Sequence, residues 1–165
     1  ILDATPNDFV TGELERAVVA CAREATPDLI LLEGQSALRN PSGPCGAELL
    51  LAGGATGVVL QHAPGREFFD GCEALGIRIP PVEDEVELIE RHGVRVLGLA
   101  LNGENLDAAT LAGHAGRLQR GLGIPVAMPL VDRCEPLLET LTRFARSPAR
   151  EAARSPTPPP TPETA

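Results

Sequence analysis

Glu33 closes the apolar run Leu29–Leu32 and is followed directly by Gly34. A lone carboxylate at the end of a buried run is costly unless it meets a partner, a metal or water. Magnesium carrying nucleotide phosphates is a partner of the right chemistry; capping the loop that follows is the plainer use. Asp3 and Asp8 bracket the start of a helix-like segment, and either is a candidate second carboxylate for such a metal, although the helix dipole alone favours acids there. His62 and Arg66 share the turn Gln61-His62-Ala63-Pro64-Gly65-Arg66 after a second apolar run. An imidazole at a strand end can serve as a general base or a phosphate contact, and a guanidinium can grip an anion with two parallel hydrogen bonds. Asn102 closes a third run and precedes Gly103. Its amide offers the donor and acceptor that adenine recognition requires, and it is equally a good turn residue.

These groups need elements that deliver them to one place. Four apolar runs (Leu29–Leu32, Val58–Leu60, Val94–Leu101 and Ile124–Met128) each end in a polar signature, and helix-like stretches separate them. Helices are expected at Asn7–Glu24, Ala47–Ala52, Val82–Arg91, Leu106–Leu122 and Glu135–Arg146, and strands at Leu29–Glu33, Gly57–His62, Val94–Asn102 and Ile124–Met128. Along the first helix Val10, Leu14, Ala17, Val18 and Cys21 recur at helical spacing and are expected to face the core. Strand–helix alternation with long crossovers predicts an α/β fold, a three-layer parallel sheet flanked by helices. Ligands of such sheets bind at the carboxyl ends of the strands. One domain is expected over residues 1–146. Residues 147–165 hold six of the sixteen prolines and nothing to bury, the composition of a disordered tail.

Composition narrows the function classes. The net charge is −9, with no Trp, no Tyr and four Phe, so the basic density and stacking platforms of a nucleic-acid groove are lacking. No apolar stretch approaches a membrane span, and no signal or transit peptide is apparent. The four cysteines lie far apart without a C-x-x-C pair, which suits free thiols in a reducing cytoplasm. His92 and His114 lack ligand-like spacing, and the acidic run Glu83–Glu90 reads as a solvated helix face. All fourteen basic residues are arginine. A phosphate loop of the G-x-x-x-x-G-K-[ST] type needs a lysine, so none is present, and Schiff-base chemistry by lysine is excluded as well. The opening at Ile1 gives the chain the look of a fragment.

Taken in order, Leu2-Asp3-Ala4-Thr5-Pro6-Asn7-Asp8-Phe9, Leu31-Leu32-Glu33-Gly34-Gln35-Ser36-Ala37-Leu38, Leu60-Gln61-His62, Ile79-Pro80-Pro81 and Leu101-Asn102 resemble one bacterial and archaeal family over about residues 1–145. The resemblance is to its C-terminal P-loop domain, long classed as a domain of unknown function. Full-length members join a Rossmann-like domain to a dethiobiotin-synthetase-like NTPase domain, and some are assigned as D-glutamate N-acetyltransferases. The resemblance implies an incomplete P-loop NTPase-like domain, because the family's phosphate loop lies upstream of the segment matching Ile1. By that resemblance Glu33 is a Mg²⁺ ligand with Asp3 or Asp8 as the second acid, and Asn102 meets an adenine in a pocket that Pro129 helps to shape. Gln61, His62 and Arg66 have no clear family counterpart and are assigned to the acceptor substrate. The implied activity is N-acyl transfer to an acidic amino acid, using Mg²⁺ with ATP or acetyl-CoA, in a cytoplasmic protein for which a homo-oligomer is open. The alternative is a truncated, non-catalytic remnant or binding module.

Overall fold

The computed structural model describes residues 4–34, 36–41 and 46–146. In chain order the elements are α1 (Asn7–Ala25), α2 (Gly46–Leu51), β1 (Gly57–His62), α3 (Val82–Arg91), β2 (Arg95–Leu101), α4 (Ala108–Leu122), β3 (Val126–Ala127), α5 (Pro129–Asp132) and α6 (Glu135–Ala145). The expected α/β architecture stands: three parallel strands in the order β1-β2-β3, flanked by helices. The tail at 147–165, with Asp3, Gln35 and Cys45, lies outside the described residues.

β2 carries the sheet. Its residues Val96, Leu97, Leu99 and Leu101 are all buried, with Leu99 wholly enclosed, as a strand covered on both faces requires. Its register against β1 shifts between Val58 and Val59, which oppose Val96 and Gly98. The extra residue makes a bulge and resets the face on which later side chains fall. Val96 and Leu99, which strict alternation would put on opposite faces, therefore enter one cluster. Val82, Val86 and Ile89 of α3 and Leu111, Ala115 and Leu118 of α4 complete it. Each Val, Leu or Ile buried there contributes about 1.5–3 kcal/mol.

Gly98 points to the other face, where α6 packs. A Cβ on Gly98 would stand 2.5 Å from Leu137 Cδ2 and 2.8 Å from the Pro125 carbonyl, so the close approach of α6 depends on glycine at that position. Gly123 ends α4 in a left-handed conformation at φ 67°, the cap that glycine adopts without strain. Asp107 opens the same helix, its carboxylate accepting from the Thr110 amide at 2.8 Å. The Thr110 hydroxyl donates to the same carboxylate at 3.0 Å, and the two bonds hold the Asp107 carboxyl below its ordinary range.

Three expectations fail, each for a packing reason. The run Leu29–Glu33 forms no strand, since no neighbouring segment among the described residues offers it a ladder. Leu31 is 84% exposed. Leu32 instead faces Gly53, and Gly34 faces the Leu49 side chain of α2. In α1 only Val10 and Leu14 are buried, while Cys21 is exposed; the C-terminal half of that amphipathic helix has nothing described to cover it. Finally, the acidic face of α3 is not uniformly solvated. Glu85 is buried, its carboxylate accepting from the Leu38 amide at 2.9 Å and from Arg39 Nε at 2.9 Å.

The Glu85 clasp ties segment 36–41 to the helix that abuts the sheet. Glu85→Ala is expected to lower stability by about 1–2 kcal/mol in urea unfolding, because it leaves the part-buried Leu38 amide and Arg39 without their acceptor. Glu85→Gln, which keeps an acceptor for Leu38, should cost less, and a loss below about 0.5 kcal/mol for Glu85→Ala would show the clasp to be idle.

Candidate functional site at the carboxyl edge of the sheet

The parallel register decides which sequence-predicted residues meet. His62 pairs with Leu101, and Ala100 pairs with Ala127. His62, Asn102 and Pro129 therefore leave three adjacent strands at one edge. The Asn102 amide donates to the His62 carbonyl at 2.8 Å, stitching the ends of β1 and β2 together. The Asn102 side-chain oxygen accepts from the Glu104 amide at 3.0 Å, an Asx turn that starts the loop towards α4. Pro129 opens α5 at a position where its missing N–H costs nothing. The Asp132 carboxylate holds this turn, accepting from the amides of Met128 at 2.8 Å and Cys134 at 3.0 Å.

Arg66 reaches this edge through a backbone approach. A Cβ at Gly65 would collide with the Glu104 carbonyl, so glycine lets the turn after β1 lie directly on the 102–106 loop. Across that contact Arg66 forms an ion pair with Glu104.

His62 opens into a pocket of about 330 Å³ lined by Arg66, Ile79, Pro80, Glu83 and Arg117 among others. The prolines lead into α3, which supplies Glu83, and α4 supplies Arg117. Arg117 stands 3.8 Å from Glu83 and 3.0 Å from His114 Nδ1. His62 itself is half-buried. Burial pushes its pKa below the ordinary 6.5; Glu83 opposes this, and His114 and Arg117 add to it. The imidazole is thus neutral at neutral pH, with a nitrogen lone pair to accept a proton.

Other predicted residues stand elsewhere. Glu33 is exposed at the end of the unpaired 29–33 run, and Asp8 is exposed in the first turn of α1. Among the described residues no group of three His, Cys, Asp or Glu side chains is arranged to hold a metal. Glu33 fits the lesser demand of nucleotide-bound magnesium, which takes one or two carboxylates together with phosphate and water. Glu48 of α2 carries a buried carboxylate oxygen, Oε2, without a hydrogen-bond partner among the described residues. It adjoins Leu49, the residue that packs against Gly34. Sequence reading missed Glu83 and Arg117. Only Pro80-Pro81, just ahead of Val82 and Glu83, signalled that this helix start turns towards the sheet edge.

The displaced His62 pKa has a sign that can be checked. The unfolded chain takes up the proton near 6.5 while the folded chain resists it, so stability is complete above that pH and is lost as pH falls through it. Between pH 7 and pH 5 the thermal midpoint of the wild type should therefore fall further than that of His62→Gln. Parallel profiles would mean that His62 is as easily protonated folded as unfolded.

Comparison with known proteins fits this architecture. No helix among the described residues is long and apolar enough to cross a membrane. No curated protein sequence matches the chain. A crystal structure of a DUF1611 family protein from Anabaena variabilis ATCC 29413 superposes with a TM-score of 0.75 at 25% sequence identity, covering 86% of this chain and 43% of that one. The chain thus spans less than half the length of that relative. The model of the DUF1611_C P-loop domain, a domain of unknown function, matches residues 1–138. With an α/β sheet of the matching fold and a family match over most of its length, the chain belongs to the DUF1611_C P-loop domain family.

Proposed function

We propose that this domain binds a nucleotide-containing cofactor at the carboxyl edge of its sheet and serves N-acyl transfer to an acidic amino acid of the D-glutamate kind. The observation that carries the reading is the convergence of His62, Asn102 and Pro129 on one edge, with the half-buried His62 opening into a pocket beside Arg66. Membership of a P-loop domain family supports nucleotide binding; the acyl transfer extends the resemblance read from the sequence.

In this reading Asn102 and Pro129 border the base of the nucleotide, whether ATP or the adenosine end of acetyl-CoA. The Asn102 oxygen is engaged by the Glu104 amide, so its NH₂ is the group that donates to the ring. Glu33 holds magnesium when ATP is the ligand, with the Glu48 oxygen a further acceptor near the same turn. Bound magnesium would neutralise phosphate charge. No lysine exists among the 165 residues, so arginines and backbone amides carry the remaining phosphate contacts.

The acceptor amine must lose a proton before it attacks a thioester carbonyl. His62 takes that proton on its free ring nitrogen, and the C–N bond forms as the C–S bond breaks and the thiolate leaves. Arg66 parts from Glu104 to hold an acceptor carboxylate, a bidentate contact that fixes the amine relative to His62.

Acetyl-CoA-dependent acetylation of D-glutamate, followed by release of free CoA thiol, tests the reading. His62→Ala should lower the rate about 10²- to 10⁴-fold, the range for loss of a general base, with nucleotide affinity nearly unchanged. Asn102→Ala should weaken nucleotide binding, and Glu33→Gln should weaken only its magnesium-dependent part. Full activity in His62→Ala would remove the base assignment. A second reading, a binding module without turnover, is favoured by the unpaired Leu29–Glu33 run; saturable nucleotide binding without any acetylation would select it.

A further inference from the structure

The charges around His62 balance. Arg66 is paired with Glu104, and Arg117 faces Glu83 across the pocket mouth. A site built for phosphate keeps its cations unopposed and offers the amides of a helix N-terminus. This pocket does the opposite. The first turn of α3 borders it, yet that turn carries Glu83, Asp84 and Glu85, whose negative charge occupies the field that a phosphate would use. Glu85 is committed to Leu38 and Arg39, so Glu83 is the carboxylate that lines the cavity.

The Glu83–Arg117 pair is loose. Its charged atoms are 3.8 Å apart, with side chains 49% and 58% exposed. Such a pair contributes little to stability and parts at small cost. Arg117 keeps a second contact when it does so, through His114, which holds the guanidinium over the pocket. Ile79, Pro80 and Pro81 provide an apolar wall beneath the two charges.

We propose that Glu83 and Arg117 are the charge-sorting residues of the His62 pocket, opening to take the ammonium and the carboxylate of one small zwitterion and rejecting phosphate-bearing molecules. The assignment rests on the reading of this pocket as an acceptor site, and it adds the two residues that select the acceptor. Glu83 receives the ammonium group and sets it towards His62. Arg117 receives one of the two carboxylates of an acidic acceptor, the other lying on Arg66, and the methylene stem lies along Ile79 and Pro80. The nucleotide is left to the neighbouring edge bordered by Asn102 and Pro129.

Calorimetric titration of the 165-residue chain with D-glutamate, L-glutamate and inorganic phosphate tests this. The wild type should bind at least one glutamate enantiomer more tightly than phosphate. Glu83→Gln keeps an acceptor but removes its charge, so it should weaken glutamate by about tenfold or more as the charge-assisted contact to the ammonium is lost, and should strengthen phosphate. Arg117→Met should weaken both ligands. Both variants alter half-exposed side chains, and a thermal midpoint close to that of the wild type will show that they fold. Three outcomes overturn the assignment: no glutamate binding, phosphate binding more tightly than glutamate in the wild type, or glutamate affinity within about twofold of wild type in Glu83→Gln. Glutamate binding that depends on Glu83 without acetyl transfer would refute the proposed reaction and leave the charge-sorting role standing. Acetyl transfer with an unchanged KM in Glu83→Gln would do the reverse.

Discussion

β2 is the constraint on which the rest depends. Among the described residues it alone pairs with both other strands, and its buried residues face helices on both sides. Its parallel register fixes the height of every group at the ligand edge, because each strand ends at a residue set by its pairing to β2. One bulge is what allows Val96 and the later leucines to share a cluster while Gly98 admits α6. Had the alternation run unbroken, one of these two packings would have been lost.

The site inherits its rigidity from that sheet and its electrostatics from loops. His62 is anchored through its carbonyl by Asn102, Asn102 by Glu104, and Glu104 in turn by Arg66. These links join the ends of two strands and the turn between them, with Gly65 allowing the backbones to touch. Polar groups that answer one another in this way can remain near a half-buried imidazole without forcing it to ionise. The pocket is accordingly close to neutral in sum, though the chain as a whole is strongly acidic.

Much of this was legible in the residues. The limits of β1 and α3 follow from the apolar runs and their flanking Gly and Pro, and the strand ends pointed to His62 and Asn102. The failures share one cause. Leu29–Glu33 has the composition of a buried strand, and α1 has the spacing of a buried helix, but a pattern states which surface is suited to burial and not what will cover it. Glu85 shows the converse. It sits in an acidic run that pattern alone assigns to solvent, and it is buried because Leu38 and Arg39, distant in sequence, bring their donors to it.

The sequence by itself determined the α/β class, the alternation of strand and helix, the absence of a lysine-bearing phosphate loop among these residues, and the polar groups at each strand end. Those follow from local periodicity and composition, which need no partner to be read. Only the tertiary structure decided that His62, Asn102 and Pro129 share an edge, that Glu33 is not carried there by a paired strand, and that Glu83 and Arg117 face one another over the pocket. Strand order, register and long-range ion pairs are relations between distant segments. They are set by which surfaces pack together, and no window along the chain contains that information.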